Sequence, residues 1–308
     1  MNSPFKDKRY NLFSRHLEDT FNCKVYKVTI DAGFSCPNRD GSKLTGGCIF
    51  CDDSGSFSQA HSNLISVNEQ LIIGIEKQKE RFKAQKFIAY FQAYSNTYAP
   101  VEKLKNIYDN AFYHPDIVGM SIGTRPDCVD EEKIDLIADY AFKKHVWIEY
   151  GLQSIHDKTL NLINRGHSGE DFIKAVELTK NKNINICAHV IIGLPGETGD
   201  DIIETAKVLA DLKVDGVKIH LLCVLNGTKI EDMYNKEEIT LMSDSEYVDI
   251  VCNFLEVLPP TTTIHRMAGN GLKKILVAPK FLGEKFRLLN MIDAELQRRD
   301  SWQGKFYV

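Results

Sequence analysis

The 308-residue sequence has no run of about 18 apolar residues, which excludes a helical membrane span as its organising feature. Its first residues, MNSPFKDKRYNLFSRH, are charged and lack an apolar core followed by a small-residue cleavage site, so a cytoplasmic location is expected. Neither sign of charge dominates: 38 Lys and Arg face 42 Asp and Glu, a formal net charge of -4. A balance this even exerts no global pull on nucleic acid and leaves that role to local patches. One such patch is available from His265 to Val308, where nine Lys or Arg accompany four Asp or Glu. The chain has no internal repeat, no low-complexity linker and no lysine-containing phosphate loop of the Walker type. Eight cysteines are too few for a dense disulfide framework at this size. In a reducing compartment, cysteines at short spacing point instead to metal or redox chemistry.

What the sequence does contain is a regular alternation. β-Branched and aromatic runs predict strands over 24–31, 86–91, 117–122, 146–152, 184–193 and 216–222. Helical patterns separate them, over 67–82, roughly 100–112, 130–143, 168–180 and 200–211. Short apolar strands divided by helices indicate parallel βαβ units, and six of them predict an α/β fold, a partial (β/α)6 TIM-like barrel. Ligands in such architectures collect beyond the carboxyl ends of the strands, so the polar segments that follow each strand share one destination. Residues 1–223 form the expected core with its lead-in. Residues 224–308, with helices over 243–257 and 280–299 and a strand over 261–265, read as a small C-terminal extension packed on the barrel.

The most informative segment follows the first strand. In GFSCPNRDGSKLTGGCIFC, glycine, proline and small polar residues deny a regular helix and place Cys36, Cys48 and Cys51 on a loop, spaced C-x11-C-x2-C. Soft thiolates suit either zinc or an iron–sulfur cluster. A structural zinc site closes with four protein ligands, and Cys23 or His61 is available to complete one. Three thiolates on a four-iron cluster instead leave one iron for an outside molecule. Cys128, Cys187, Cys223 and Cys252 are scattered and read as core residues.

The other strand exits carry polar residues of their own. Gln92, Asn96 and Thr97 follow the strand 86–91 and offer amide and hydroxyl groups. Thr124 and Arg125 follow the next strand in SIGTRPD, where the Arg fork fits a carboxylate or phosphate, or else pairs with Asp127. Glu149 interrupts an apolar strand and, once buried, requires a paired or hydrogen-bonded environment. Gln153 lies at that strand's exit; Arg165 and His167 follow, the histidine placed for proton transfer or for capping the next helix. His189, a pocket residue or a satisfied core histidine, leads into Ile192, Gly193 and a turn enforced by Pro195 and Gly196.

Together the segments GFSCPNRDGSKLTGGCIFC, YFQAYSNTYAP, SIGTRPDC, YGLQSIHDKTLNLINRGH, HVIIGLPGE, VKIHLL and RRDSWQGKF resemble the radical S-adenosylmethionine (SAM) superfamily over nearly the whole chain. The resemblance is to its bacterial branch related to the radical domain of the Elongator catalytic subunit, whose mark is the widened cysteine spacing in place of C-x3-C-x2-C. It implies an enzyme in which Cys36, Cys48 and Cys51 hold a 4Fe–4S cluster whose open iron chelates the amino and carboxylate groups of SAM. Reductive cleavage would then give a 5′-deoxyadenosyl radical that abstracts hydrogen. The same resemblance puts Gln92, Asn96 and Thr97 near the methionyl amino group, although the family's glycine-rich form of that segment is absent. It puts Gln153 near the cofactor sugar, Arg165 near the methionyl carboxylate, and Ile192 and Gly193 against adenine; Thr124 and Arg125, by their place just beyond a strand, and Glu149 and His189 are further cofactor-binding candidates.

An electron donor such as flavodoxin or ferredoxin and a tRNA substrate are also implied. The expected reaction removes the carboxymethyl part of 5-carboxymethylaminomethyluridine at the wobble position, giving 5-aminomethyluridine. Arg266, Lys273, Lys274, Lys280, Arg298 and Arg299 are expected as phosphate contacts or as ordinary solvated surface. A metabolite or protein substrate is the alternative enzyme reading, and a metal-containing RNA-binding module the non-enzymatic one. The chain shows no second cluster motif and no acetyltransferase half, so acetyl-coenzyme-A chemistry is not expected.

Overall fold

Each apolar run becomes a strand and each amphipathic stretch a helix laid against it. The computed structural model describes residues 4, 5, 8–52, 55, 65–269 and 275–308. Helix α1 (Phe13–Phe21) leads into β1 (Val25–Ile30), α2 (Val67–Phe82), β2 (Lys86–Phe91), α3 (Val101–Ala111) and β3 (Ile117–Thr124). There follow α4 (Glu131–Ala141), β4 (His145–Gln153), α5 (Asp157–Leu162), α6 (Gly169–Thr179), β5 (Asn185–Ile192), α7 (Gly199–Asp211) and β6 (Gly216–Leu221). The remainder comprises β7 (Val224–Leu225), α8 (Lys229–Asn235), α9 (Asp244–Val257), β8 (Thr263–Arg266), β9 (Leu276–Ala278) and α10 (Lys285–Arg298).

Seven strands form one curled sheet in the order β1-β2-β3-β4-β5-β6-β8, with every neighbouring pair parallel. This is a partial TIM-like barrel, with the six expected strands adjacent in chain order. The segment beyond residue 223 also extends the sheet: β8 pairs with β6, Gly216 opposite Thr263. Strands β7 and β9 form a separate antiparallel pair. The helix expected over 280–299 begins later, because a 3-10 turn occupies Lys280–Gly283 before α10.

The two-residue period of a strand sorts its side chains. Val28 and Ile30, Ile148, Tyr150 and Leu152, and Val190 and Ile192 all face the helices and belong to the main apolar core. The intervening residues face the barrel interior, where they stack in layers from the strands' amino ends upward. Val25, Ile88, Trp147 and Cys187 form an apolar floor with Phe13 and Leu17 of α1. Lys27, Tyr90, Glu149, His189 and Lys218 make a charged layer above it. Beyond that layer the interior opens toward the carboxyl ends of the strands.

Helix α2 approaches β1 so closely that a Cβ on Gly74 would stand 2.2 Å from Val28 Cγ1. Two effects oppose each other in Gly74→Ala: helix propensity favours alanine by about 1 kcal/mol, while overpacking costs about 1–3 kcal/mol. At 2.2 Å the clash wins, since the valine methyl has to leave its place. We expect a net loss of about 1–2 kcal/mol in a urea unfolding curve, with an unchanged slope.

Candidate active site

The cysteine loop leaves the carboxyl end of β1 and is held by its own backbone. Cys36 O accepts from Arg39 N (2.8 Å) and Asp40 N (3.1 Å), and Cys48 O accepts from Cys51 N (3.0 Å). Asn38 fastens this loop to the segment after α5, its Nδ2 donating to Asn164 O (2.8 Å) and Arg165 O (2.7 Å). Asn164 answers from the other side, donating to Gly47 O at 2.6 Å and Thr45 O at 3.1 Å. The approach requires glycine at 166, where φ is +73° and a Cβ would lie 2.5 Å from Asn38 Oδ1. Two N–H donors also reach the Cys48 sulfur: Asn38 Nδ2 at 3.7 Å and Arg165 Nη1 at 3.6 Å.

Cys36, Cys48 and Cys51 line one cavity of about 270 Å³ at the carboxyl ends of the strands. Gln92, Thr124, Arg125, Glu149, Gln153, Arg165 and His189 line the same cavity. The backbone of Gln153 sits at φ +75° beside an irregularity in the β4–β5 register, a sparsely populated conformation for a non-glycine residue.

Four expected site residues lie elsewhere. Asn96 is fully buried, and its Nδ2 ties the ends of β2 and β3 together through Gly123 O (2.7 Å) and Phe91 O (3.2 Å). Thr97 beside it bonds Thr124 Oγ1 (2.6 Å) and Cys128 O (2.8 Å), which makes both residues loop staples. The side chain of Ile192 faces the helices, because it is one residue out of phase with His189; Ile191 lines the cavity instead. Gly193, with φ +86°, forms the turn after β5 and abuts Met242.

The arginines are already engaged. Arg125 grips Asp127 with two donors (Nε to Oδ1 2.8 Å, Nη2 to Oδ2 2.7 Å), and its Nη1 donates to Arg165 O at 2.7 Å. The pair is buried, not superficial. Burial alone would raise the Asp127 carboxyl; bonds and charge from Arg125 outweigh it and bring it to about 2. Arg165 in turn donates to Gly151 O (2.6 Å) and His167 Nε2 (2.9 Å). His167 is thus a buried acceptor, and the cap of α6 is Ser168, which accepts from Asp171 N.

Glu149 anchors the charged layer. Lys27 bonds one carboxylate oxygen, while His189 Nε2 (2.7 Å) and Lys218 Nζ (3.2 Å) bond the other. Burial pushes the Glu149 carboxyl upward, but the charges of Lys218 and Lys27 and the His189 bond prevail and hold it well below the usual range. Burial and Lys218 depress His189 to about 4, against the opposing pull of Glu149. His145 is likewise brought to about 4, by burial and then by His16 and Lys27. Both folded values lie below the unfolded histidine value of about 6.5. The unfolded chain therefore binds more protons between these limits, and stability falls as pH drops from about 6.5 toward 4. Urea midpoints measured across that window should decline with acidity, these two groups together contributing up to about 6 kcal/mol.

The zinc alternative meets two geometric obstacles. Cys23 packs beside the apolar floor, at the opposite end of β1 from the cysteine loop; His61 lies outside the described residues. Thiolates around one tetrahedral zinc stand about 3.8 Å apart, as bonds of about 2.3 Å require. Among the described residues, the trio of metal-type ligand atoms within 4.8 Å of one another is Glu149, Cys187 and His265, and the loop cysteines form no such tight group. That trio opposes a cation, because two ammonium groups already occupy Glu149 and burial drives the Cys187 thiol well upward.

The C-terminal basic residues are placed differently from the expected patch. Arg298 pairs with Glu295, and Arg299 pairs with Asp249, Glu256 and Glu295, so their charge is largely matched within the chain. Lys280 starts the 3-10 turn, while Lys273 and Lys274 lie outside the described residues. Arg266 points inward and lines the cavity. No helix among the described residues is long and apolar enough to cross a membrane.

Sequence reasoning passed over Asn38, Lys27, Lys218 and His220. Lys27, Lys218 and His220 had a visible signal, polar residues at alternate positions of the strands VYKVTI and VKIHLL.

Comparison with known proteins gives a consistent picture. A family model described as the Radical SAM superfamily matches residues 41–209, and one described as the Radical_SAM C-terminal domain matches residues 214–298. The uncharacterized protein YtqA of Bacillus subtilis is 40% identical over 99% of this chain and 96% of its own length. A tRNA uridine(34) acetyltransferase of Methanocaldococcus infernus is 30% identical over 46% of this chain, which spans only 27% of that relative. The solved structure of Methanocaldococcus infernus Elp3 with an N-terminal deletion superposes with a TM-score of 0.66, covering 91% of this chain and 64% of that one. Its 19% identity makes the likeness one of fold.

Proposed function

The chain belongs to the radical SAM superfamily, and from that premise we propose that Cys36, Cys48 and Cys51 hold a 4Fe–4S cluster with SAM in the adjoining cavity. The observation that carries this reading is the convergence of the three thiols on one cavity lined by amide, hydroxyl and guanidinium groups. When bound, the two groups supply reductive cleavage of the sulfonium and a primary radical, chemistry beyond the reach of side chains.

The protein's own residues hold and shield that centre. Asn38 and Arg165 aim N–H groups at the Cys48 sulfur. Gln92, Thr124 and Gln153 offer polar atoms suited to the amino and hydroxyl groups of SAM. Arg125 acts through the Arg165 carbonyl and is a positioning residue. The apolar floor beneath the charged layer closes the barrel's amino end to water. Hydrogen bonds to cluster sulfurs favour the reduced state. Asn38→Ala is therefore expected to move the cluster to a more negative potential, read by an EPR-monitored redox titration.

As substrate we propose tRNA carrying 5-carboxymethylaminomethyluridine at the wobble position, with 5-aminomethyluridine as product and flavodoxin or ferredoxin as electron donor. The support is the shared sequence with tRNA uridine(34) acetyltransferases, which covers about half of this chain. The test is anaerobic incubation of reconstituted enzyme, reductant and SAM with tRNA from cells lacking the gene, followed by nucleoside mass analysis. Exchange of a carboxymethyl group for hydrogen on that nucleoside is the expected result. SAM turnover with unchanged tRNA would move the substrate to a metabolite or a protein.

A further inference from the structure

Three basic residues borne on strands face the barrel interior, Lys27, Lys218 and Arg266, and the carboxylate paired with them there is Glu149. Lys27 and Lys218 share that carboxylate. Arg266 has no carboxylate partner among the described residues; its Nε donates to Ala268 O at 2.9 Å, which leaves both terminal nitrogens without an acid. A guanidinium cannot shed its proton to escape burial. Arg266 is half-buried on the cavity wall, so its charge is matched there only by the cavity's own contents, and a complementary anion is the stronger match. The groups that favour its charge are Tyr90, Tyr247 and Cys223, all neutral near pH 7, so none of them plays that part.

The position completes the argument. Arg266 is the register partner of Lys218 across β6 and β8, and His220 lies one inward position further along β6. All three side chains line the cavity that holds the cysteines. A planar fork beside an ammonium and an imidazole is the donor set that a planar oxyanion takes. We propose that Arg266, with Lys218 and His220, forms a subsite that binds an oxyanion of the substrate, a carboxylate or a phosphate, and holds the substrate in the barrel. This subsite rests on the cofactor reading above only for the direction from which the radical arrives.

The test measures binding calorimetrically on anaerobically reconstituted protein, with and without SAM. Three probes are used: 5-carboxymethylaminomethyluridine, 5-aminomethyluridine and uridine 5′-monophosphate. We expect the wild type to bind one anionic probe at least about tenfold more tightly than 5-aminomethyluridine, as one charge-assisted bidentate contact allows. Preference for the carboxylate probe assigns the subsite to a base substituent; preference for the monophosphate assigns it to the backbone. Arg266→Met should abolish the preference and Arg266→Lys should keep part of it, each with a thermal midpoint confirming that it is folded. No preference in the wild type, or a preference that survives in Arg266→Met, overturns the proposal. So does a loss of SAM affinity in Arg266→Met that matches the loss for the anionic probe, since the guanidinium would then serve the SAM carboxylate. A wild type that binds the anion but never cleaves SAM would refute the cofactor reading and leave the subsite standing.

Discussion

Alanine at Cys36, Cys48 or Cys51, one at a time, is expected to take reductive SAM cleavage below detection and to reduce bound iron and sulfide sharply. A cluster held by three thiolates has no spare ligand, so each sulfur is indispensable to both assembly and electron transfer. Cys23→Ala provides the contrast, because Cys23 packs near the apolar floor at the far end of β1. It should retain full iron content and cleavage. Iron and sulfide analysis with chromatographic release of 5′-deoxyadenosine reads both outcomes. Equal loss in Cys23→Ala and Cys36→Ala would mean that the cysteines form a different set.

The second large effect concerns stability. Glu149 is almost completely buried and carries two ammonium groups, so Glu149→Ala strands Lys27 and Lys218 without a counter-charge. Breaking a buried pair from one side costs about 3–5 kcal/mol, far more than an intact pair contributes relative to a hydrophobic substitute. The urea midpoint of the apo-protein should fall accordingly. Adding Lys218→Met to Glu149→Ala should recover part of the loss, because the second change removes one stranded charge. A loss below about 1 kcal/mol would mean that cavity water screens these groups from one another.

The barrel was legible because its signals are local. Each strand is a short, nearly continuous run of apolar and β-branched residues, and α2, α6, α7 and α9 open with reciprocal caps at Ser66, Ser168, Thr198 and Ser243. Helices α1, α5 and α8 escaped notice, and each begins without a side-chain cap. Their positions come from packing: α1, for instance, sets Phe13 flat on His265 with ring centres 3.8 Å apart. The same divide runs through the site. Cysteine spacing can be read from residues 36 to 51, but the fastening of that loop by Asn38 to Arg165 joins residues 127 positions apart. The phase of β5 separates Ile191 from Ile192, and a motif alone does not say which of two adjacent isoleucines faces inward. Arg266 illustrates the limit from the other side, since a basic stretch suggests a phosphate contact or solvated surface while strand pairing turns this residue into the barrel.

The central claim is that three cysteines hold a four-iron cluster with one iron open to SAM. EPR of the dithionite-reduced, anaerobically reconstituted protein, recorded with and without SAM, tests it most directly. A reduced 4Fe–4S signal whose g-values change when SAM is added, and which Cys48→Ala loses, is the expected spectrum. A colourless protein with stoichiometric zinc, or a cluster signal indifferent to SAM, would contradict it.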